Sequence, residues 1–569
     1  MRYNDELLME GRHNGTPIIL DGSLNEKKQE SQKEKELGDK EEAAEGSAES
    51  VCCCRRNCPK ILIATLMSAS FVSLILALVI HTGNFVDFVI QKNLVIKNGS
   101  QHYEWWKNPP VGTLVKITLF NYTNYEAFMK KQDKKLKLQE VGPLVYRVQV
   151  RKVNVTFPAE REGEIVTFQV NRSYEFVPEL SPGVREDDLI VTPNFNLLAL
   201  ASGIHDSPYA LKIALMGVLN IVKVDPFRRL TAAELLWGYD DPIFDQAKKF
   251  VTFKRGSVPM KKFGLMAGET GLSSDLISIH TGKSDPSVLG VISAYNGKPS
   301  LLYWGGEECN RVDGSEGSIF PHTPATTRYD PNAKLQTHVF NYFLCRRYPF
   351  EQQGVVETPG EIPAIRFAPP KGVYDSPLEQ PDHRCFCDPE RSYCPPSGVF
   401  NVSPCAYGAP VMISFPHFHG GHHSLVEHFE GLNPEKKHHE FFLDVEPTLG
   451  VPLRAKSAFQ MNAMVRPSWA IKELAPFPQN LILPLHWAQV TSDEIPDYLI
   501  RNIRFATQTS FLVEKLLICT LYIVSFVLLG IVYVKMKTSR KELKKTEPST
   551  CGTKIITTEK GGDHKQEKV

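Results

Sequence analysis

Two uninterrupted apolar runs lie near the ends of this 569-residue chain. The first covers Ile61–Ile80, the second roughly Leu516–Val534, and neither contains a charged residue. A helix needs about 20 apolar residues to cross the hydrocarbon core of a bilayer. The pattern therefore predicts transmembrane helices at 61–80 and 512–534, a central domain at 81–511, and polar tails at 1–60 and 535–569.

Hydrophobic and polar residues alternate along parts of the central block. The clearest example is Tyr146–Arg151, and Val111–Leu119 and Ile165–Val170 also have the composition of strands. A period of two is typical of half-buried β-strands, and prolines and other turn residues separate these segments. Helical patterns occur mainly between Asn196 and Tyr239. We therefore predict a mainly β domain with a local α-helical bundle.

One helical segment is unusually apolar. Ala210–Val222 contains only two polar residues, Lys212 and Asn220, and is too short to span a bilayer. Such a helix is either packed in the core or exposed as a docking surface for lipid or a lipid-carrying particle. Both interpretations are compatible with the sequence.

Basic residues flank the outer ends of both apolar runs. They are Arg55, Arg56 and Lys60 before the first run, and Lys535, Lys537, Arg540, Lys541, Lys544 and Lys545 after the second. By the positive-inside rule both tails are predicted to be cytoplasmic. The first run follows a long polar segment without a small-residue cleavage site, so we expect an uncleaved signal anchor. The central block is then extracellular or lumenal.

Ten of the twelve cysteines fall into two groups. Six lie within the central block and suit three disulfides in an oxidising compartment, with the pairing left open by spacing alone: Cys309, Cys345, Cys385, Cys387, Cys394 and Cys405. Four precede the first apolar run, where juxtamembrane thiols are commonly palmitoylated: Cys52, Cys53, Cys54 and Cys58. Idle thiols and a zinc site are the alternatives for this second group, although no further Cys/His pair lies nearby.

N-x-S/T triplets agree with this topology. Five are in the central block, headed by Asn98, Asn121, Asn154, Asn171 and Asn401, and Asn14 heads one in the N-terminal tail. We predict glycans on the five central asparagines and none on Asn14.

Composition and motifs exclude several functions. A net charge of +1 gives no basic surface for nucleic acid. The sequence has no G-x-S-x-G elbow, P-loop or H-E-x-x-H helix, so we predict neither an enzyme nor a bound cofactor. Seven histidines between His417 and His439 could bind metal, sense pH or simply be solvated loop residues. Because they lack a fixed helical spacing, we favour solvated histidines and predict no metal site.

Ordered motifs of the central block resemble those of the class B scavenger receptors. The motifs are Phe120-Asn-Tyr-Thr-Asn124, Glu140-Val-Gly-Pro143, Glu186-Asp-Asp188, Thr231-Ala-Ala-Glu-Leu-Leu-Trp-Gly-Tyr-Asp-Asp-Pro242, Phe263-Gly-Leu265, Asn296-Gly297 before Tyr303-Trp304, and Pro410-Val411 before Ser414-Phe-Pro-His-Phe418. That family includes the fatty-acid translocase, the high-density lipoprotein receptor, the lysosomal integral membrane proteins and the insect sensory neuron membrane proteins. The resemblance covers about residues 61–535 and leaves the tails uncovered.

The resemblance implies a barrel-like ectodomain with an internal hydrophobic tunnel and a helical bundle at its membrane-distal apex. Ala210–Val222 would belong to that bundle, which favours the docking interpretation. The family's cysteine order implies the pairs Cys309–Cys385, Cys345–Cys405 and Cys387–Cys394. This chain departs from the family in its longer N-terminal tail and in having few lysines near the apex.

The predicted function is a receptor that captures lipids, fatty acids or lipoproteins and passes them through the tunnel toward the membrane. The proposed docking residues are Lys212, Leu215, Met216, Leu219 and Lys223. The C-terminal tail lacks an acidic dileucine signal, which favours the plasma membrane. The alternative is an endosomal or lysosomal sorting receptor that binds a protein partner at the same helices. A lipid hydrolase is a third hypothesis, against which the missing nucleophile motif argues.

Overall fold

A computed structural model of the chain describes residues 60–205, 207–222, 224–245, 248, 261–324, 326–330, 332–387, 393–435 and 440–545. Two compact units are present: a central domain, Gly83–Lys515, and a second unit formed by the described residues of 1–82 and 516–569. Asn14, the four tail cysteines (Cys52, Cys53, Cys54 and Cys58), Lys223, His438 and His439 lie outside the described residues.

The second unit contains most of the two predicted spanning segments. Helix α1 covers Lys60–Gly83, and a continuous helical stretch covers Asp497–Lys541; both are long and apolar enough to cross a membrane. The two helices contact each other through small residues. Ser70 and Ser525 exchange hydrogen bonds, each hydroxyl donating to the other's carbonyl oxygen at 3.0 and 3.1 Å, and Ser73 Oγ donates to Leu521 O at 2.9 Å. Small side chains allow the close backbone approach that membrane helix pairs need.

The C-terminal helix begins earlier than the hydropathy pattern predicts. It starts at Asp497 as α8, passes through a π-helical segment, Phe505–Thr509, and continues as α9. Leu499 and Ile503 of α8 are buried against Ile362 and Leu453, while its other residues are largely polar. Averaging hydropathy over a sequence window does not detect such an amphipathic extension, because the mean hydropathy of its residues is polar.

The central domain is mainly β. Its strands are β1 Thr113–Tyr122, β2 Leu136–Thr156, β3 Ile165–Phe176, β4 Leu189–Pro193, β5 Phe227–Thr231, β6 Gly271–Leu272, β7 Ile277–His280, β8 Ile292–Tyr295, β9 Gln336–Asn341, β10 Arg346–Thr358, β11 Ile362–Ala368, β12 Val399–Asn401, β13 Val411–Ser414, β14 Phe429–Glu430, β15 Phe442–Glu446, β16 Val451–Met464 and β17 Ile482–Ser492. The described helices after α1 are α2 Phe85–Leu94, α3 Gln101–Lys107, α4 Tyr125–Met129, α5 Phe195–Ile204, α6 Tyr209–Val222, α7 Ala232–Trp237, α8 Asp497–Arg504 and α9 Ser510–Lys545.

One large sheet has the order β8-β7-β3-β2-β1-β17-β16-β15-β11-β10-β9, with β6, β12, β13 and β14 attached beside this path. The segment 314–315 connects its two edges. Ile292 N donates to Gly314 O at 2.9 Å on the β8 side, and Ser315 N donates to His338 O at 2.7 Å on the β9 side. The sheet is therefore nearly closed into a barrel, and the predicted mainly β, barrel-like fold is confirmed.

Alternating burial explains why these segments are strands. Along β1 Val115, Ile117 and Leu119 are buried, and Lys116 between the first two is more exposed; from Ile117 to Phe120 every residue is buried. The strands predicted from alternation correspond to β1, β2 and β3, but β2 begins ten residues before the predicted segment and β3 ends six residues after it. Apolar side chains from nearly every strand form one continuous core.

Candidate functional site

Helices α5 and α6 form the local bundle predicted from sequence, and polar residues fix the position of α5. Asn194 caps α5 by accepting from Leu197 N at 3.3 Å, and its own amide donates to Asp225 O at 2.9 Å. Asn196 of α5 donates to the buried Asp241 at 2.7 Å. Because buried polar groups need partners, these bonds fix where α5 lies.

The signature motifs meet one another around this bundle. Ala232 N and Ala233 N donate to Asp188 O and Glu186 O, and Thr231 forms a capping box with Glu234 at the start of α7. A Cβ on Gly264 would come within 2.6 Å of the backbone nitrogen of Gly238, so only glycine fits there. These motifs therefore have a structural role: they hold the helices in place.

Helix α6 has an exposed apolar stripe. Tyr209 is 68% exposed, Ile213 is 43% exposed and Met216 is half-buried, at the i, i+4, i+7 spacing of one helix face. Leu219, by contrast, is only 6% exposed and belongs to the core. The helix is thus neither wholly buried nor wholly exposed, and both interpretations of its apolar sequence apply, each to one face.

A tryptophan from elsewhere in the chain extends the stripe. Trp469, in the loop between β16 and β17, is 51% exposed, and its ring lies 4.9 Å from the ring of Tyr209. We call Tyr209, Ile213, Met216 and Trp469 the α6 patch. Two exposed aromatic rings in contact provide a rigid apolar surface of the kind that binding sites use.

The structure places the predicted docking residues in different environments. Met216 lies in the α6 patch, whereas Leu219 faces the core, so its assignment to docking is wrong. Lys212 Nζ donates to His205 O at 2.6 Å and closes the turn between α5 and α6, which engages the ammonium within the bundle. Leu215 lies within α6, but its side chain, like the whole of Lys223, is outside what the structure describes.

Sequence reasoning missed three residues of the α6 patch. Tyr209 immediately precedes the apolar window, and the spacing of Tyr209, Ile213 and Met216 would have revealed a stripe. No pattern could have added Trp469, because its position depends on a loop some 250 residues later in the chain.

The histidine-rich segment contains one buried residue that we did not predict. His417 is buried with a positive φ of 54°, and its Nδ1 accepts from Asn433 N at 3.0 Å. Its Nε2 therefore carries the proton and donates to Glu140 at 3.0 Å, and Glu140 also accepts from Trp487 Nε1 at 2.5 Å. The interpretation of His417 as a solvated loop residue is wrong: it joins two signature motifs.

The remaining described histidines of this segment are His419, His422, His423 and His428, and all are at least partly accessible. His422 and His423 stack with ring centroids 4.3 Å apart. Within the described ranges, no three His, Cys, Asp or Glu side chains form a group that could hold a metal ion.

The six cysteines of the central domain form three disulfides in the structure, Cys309–Cys385, Cys345–Cys405 and Cys387–Cys394. These are the pairs that the resemblance implies. Trp304, from another signature motif, packs beside them and donates from its indole to Cys345 O at 2.7 Å.

The five predicted glycosylation sites differ in accessibility. Asn98, Asn154 and Asn171 are exposed and Asn121 is half-buried. Asn401 is only 1% exposed, and its amide nitrogen is enclosed in the domain. A glycan on that nitrogen would have no path to solvent, so the structure contradicts the prediction at Asn401.

A nearly closed β sheet, three disulfides and two helices long and apolar enough to span a membrane agree with the class B scavenger receptor architecture that the resemblance implies. Comparison with known proteins agrees, since the profile of the CD36 family matches residues 63–536. The chain belongs to the CD36 family.

Curated relatives fall into two named groups. Scavenger receptor class B member 1 of Bos taurus is 30% identical over 418 residues, which cover 73% of this chain and 78% of the relative. Lysosome membrane protein 2 of Mus musculus is 31% identical over 404 residues, covering 71% of this chain and 79% of the relative, and its Homo sapiens counterpart is 30% identical. The predicted family is therefore confirmed. The chain is a membrane protein of the class B scavenger receptor type, a class of receptors and transporters.

Proposed function

We propose that this protein is a cell-surface receptor that binds hydrophobic ligands, as lipids or lipoproteins, and transfers them through a tunnel in the central domain toward the membrane. The observation that carries the proposal is the α6 patch. In a folded domain with a large core, four neighbouring apolar side chains that remain at the surface favour a docking role.

Physical chemistry supports an apolar route for such a ligand. Moving one CH₂ group from an apolar environment into water costs about 0.8 kcal/mol. A lipid that left its particle through water would therefore face a free-energy barrier that grows with every CH₂ of its chain. Docking at an apolar patch followed by passage through an apolar tunnel removes that barrier. Docking at an apolar patch needs no charged residue. This agrees with the structure, in which the Lys212 ammonium is hydrogen-bonded to His205 O and does not have to contact the ligand.

Transfer can be tested with the full-length protein in proteoliposomes. Donor particles carrying a fluorescent sterol ester or fatty acid are added, and the label reaching the liposome bilayer is measured against protein-free liposomes. We expect faster transfer with protein and co-purified lipid in organic extracts analysed by mass spectrometry. No transfer above the protein-free rate, together with lipid-free extracts, would contradict the proposal.

A sorting receptor for a protein partner is the second candidate. It is favoured by the chain's similar identity to the two groups of relatives, 30% to scavenger receptor class B member 1 of Bos taurus and 31% to lysosome membrane protein 2 of Mus musculus. Imaging of the tagged protein separates the candidates, since steady-state residence in lysosomes supports sorting and residence at the plasma membrane supports surface lipid uptake.

The topology belongs to the same proposal. With both tails cytoplasmic, the four tail cysteines (Cys52, Cys53, Cys54 and Cys58) face palmitoylating enzymes, and acyl chains there would strengthen anchoring. Hydroxylamine-sensitive labelling that disappears when all four are replaced by serine is the expected result. Labelling that persists in the replaced protein would refute acylation at this cluster.

A further inference from the structure

Arg346, the first residue of β10, has a buried guanidinium without a countercharge. It is 3% exposed and stacks on aromatic rings, with its Cζ 4.2 Å from the centroid of Phe386 and 4.8 Å from that of Phe400. In the described part of the chain no carboxylate pairs with it. Its one hydrogen bond is long, from Nη1 to Val373 O at 3.4 Å, and Nε has no partner.

Comparable arginines in this protein are paired. Arg366 stacks on Phe442 at 4.0 Å and also forms a bidentate bond with the buried Asp444, at 2.7 and 2.8 Å. A buried cation without a partner is costly, because it has lost its hydration and gained no opposite charge. Among the described residues, the isolation of Arg346 is therefore an exception, and a compensating group would stabilise it.

A further unpartnered donor lies beside Arg346. The hydroxyls of Tyr348 and Tyr374 are buried and face each other, with ring centroids 6.0 Å apart, and neither has another hydrogen-bond partner among the described residues. One O–H can donate to the other, which leaves a single O–H without an acceptor. A guanidinium and an O–H group that both lack an acceptor are a donor set for an anion.

A small cavity adjoins these groups. Its volume is about 20 Å³, and Arg346 and Tyr374 are among its lining residues. This is enough for one water-sized group and far too little for a lipid chain. Asp375 also lines the cavity, so its carboxylate is a like charge that opposes a bound anion.

We propose that this cavity binds a small monovalent anion of chloride size, held by the Arg346 guanidinium and the Tyr374 hydroxyl. The ion is structural: it neutralises Arg346 and joins β10 to Tyr374. The site is independent of the α6 patch and of lipid transfer.

Thermal unfolding of the full-length protein in detergent tests the site. Sodium chloride is varied from 1 to 150 mM against sodium gluconate at constant ionic strength, and the midpoint is followed by intrinsic fluorescence. An anion that binds only the folded state raises the midpoint in proportion to the logarithm of its concentration once its Kd is exceeded. We expect a rise of a few degrees in chloride, the same with bromide, and none in gluconate.

Variants locate the effect. Arg346→Met should abolish the chloride dependence, while Arg347→Met, which removes the same charge from the neighbouring residue of β10, should keep it. Tyr374→Phe should raise the half-effective chloride concentration at least tenfold and leave the midpoint in gluconate unchanged. Asp375→Asn should lower that concentration, because it removes a like charge from the cavity.

The proposal is overturned if the wild-type midpoint is the same in chloride and gluconate, which would assign the cavity to water. It is also overturned if Arg346→Met retains the wild-type chloride dependence. Should Arg346→Met fail to fold, Tyr374→Phe decides, and an unchanged half-effective concentration in that variant refutes the site.

Discussion

Ile213→Glu and Leu219→Glu introduce the same charge six residues apart on α6, and the structure predicts opposite results. Ile213 is 43% exposed, so the glutamate stays hydrated and the folding free energy should change by no more than about 0.5 kcal/mol. Leu219 is 6% exposed, so a glutamate there loses the leucine's burial and places an unpaired carboxylate in the core, at a cost of several kcal/mol. Domains of this kind are stable by only about 5 to 15 kcal/mol.

The effect on ligand docking can be worked out from the exposed fraction. Full burial of an isoleucine side chain is worth about 1.5 to 3 kcal/mol, and 43% of that is about 0.6 to 1.3 kcal/mol, or about 3- to 9-fold in affinity. Ile213→Ala should weaken docking by roughly that factor. Ile213→Glu should weaken it more than tenfold, because the carboxylate must also lose water against an apolar ligand.

The assay is surface expression and fluorescent-lipid uptake in cells carrying each variant. Ile213→Glu should reach the surface with normal glycosylation and lose uptake, and Leu219→Glu should be retained in the endoplasmic reticulum. Normal uptake by a normally expressed Ile213→Glu protein would remove the α6 patch from the mechanism. Normal expression of Leu219→Glu would show that α6 does not pack as described.

Three further outcomes follow from buried groups. Burial lowers the pKa of His486 to about 4, against about 6.5 when unfolded, so stability present above pH 6.5 is lost as pH falls toward 4. That loss is about 2 kcal/mol at pH 5, and the denaturation midpoint of His486→Gln should depend less on pH. Ser70→Cys with Ser525→Cys should form a disulfide detected as a linked peptide pair by mass spectrometry, whereas Ser68→Cys with Ser525→Cys should not, since Ser68 points away from the helix pair. Replacing Asn401 with Gln should leave the glycosidase-sensitive mobility unchanged, and a mobility shift in that variant would show that the asparagine carries a glycan. Loss of glycan is expected instead on replacing Asn98, Asn154 and Asn171.

Much of the fold was predictable because its signals are local. The spanning helices follow from runs of apolar residues, β2 follows from alternation around Tyr146 and Val148, and the capping box at Thr231 follows from its own tetrapeptide. Each signal is fixed by residues that are neighbours in the chain.

The missed features all depend on distant partners. Asn401 has the triplet of an accessible sequon, yet pairing of β12 with β13 buries it. His417 occurs among loop histidines, but Glu140, 277 residues earlier, makes it a core residue. The isolation of Arg346 likewise depends on which rings the fold assembles around it. Hydrophobic periodicity predicts which face of a helix or strand is buried, but it does not predict which residues pack against that face.

The serine pair of the membrane helices also has a consequence for biosynthesis. Ser70 and Ser525 are 455 residues apart, so a ribosome completes the whole central domain between making one partner and making the other. Until then α1 stands alone in the bilayer with the hydroxyls of Ser70 and Ser73 lacking their interhelical acceptors. The two helices can therefore pair only after the central domain has been synthesised. A chain that stops before residue 525 leaves an apolar helix in the membrane whose Ser70 hydroxyl lacks its partner, a feature that quality control can recognise.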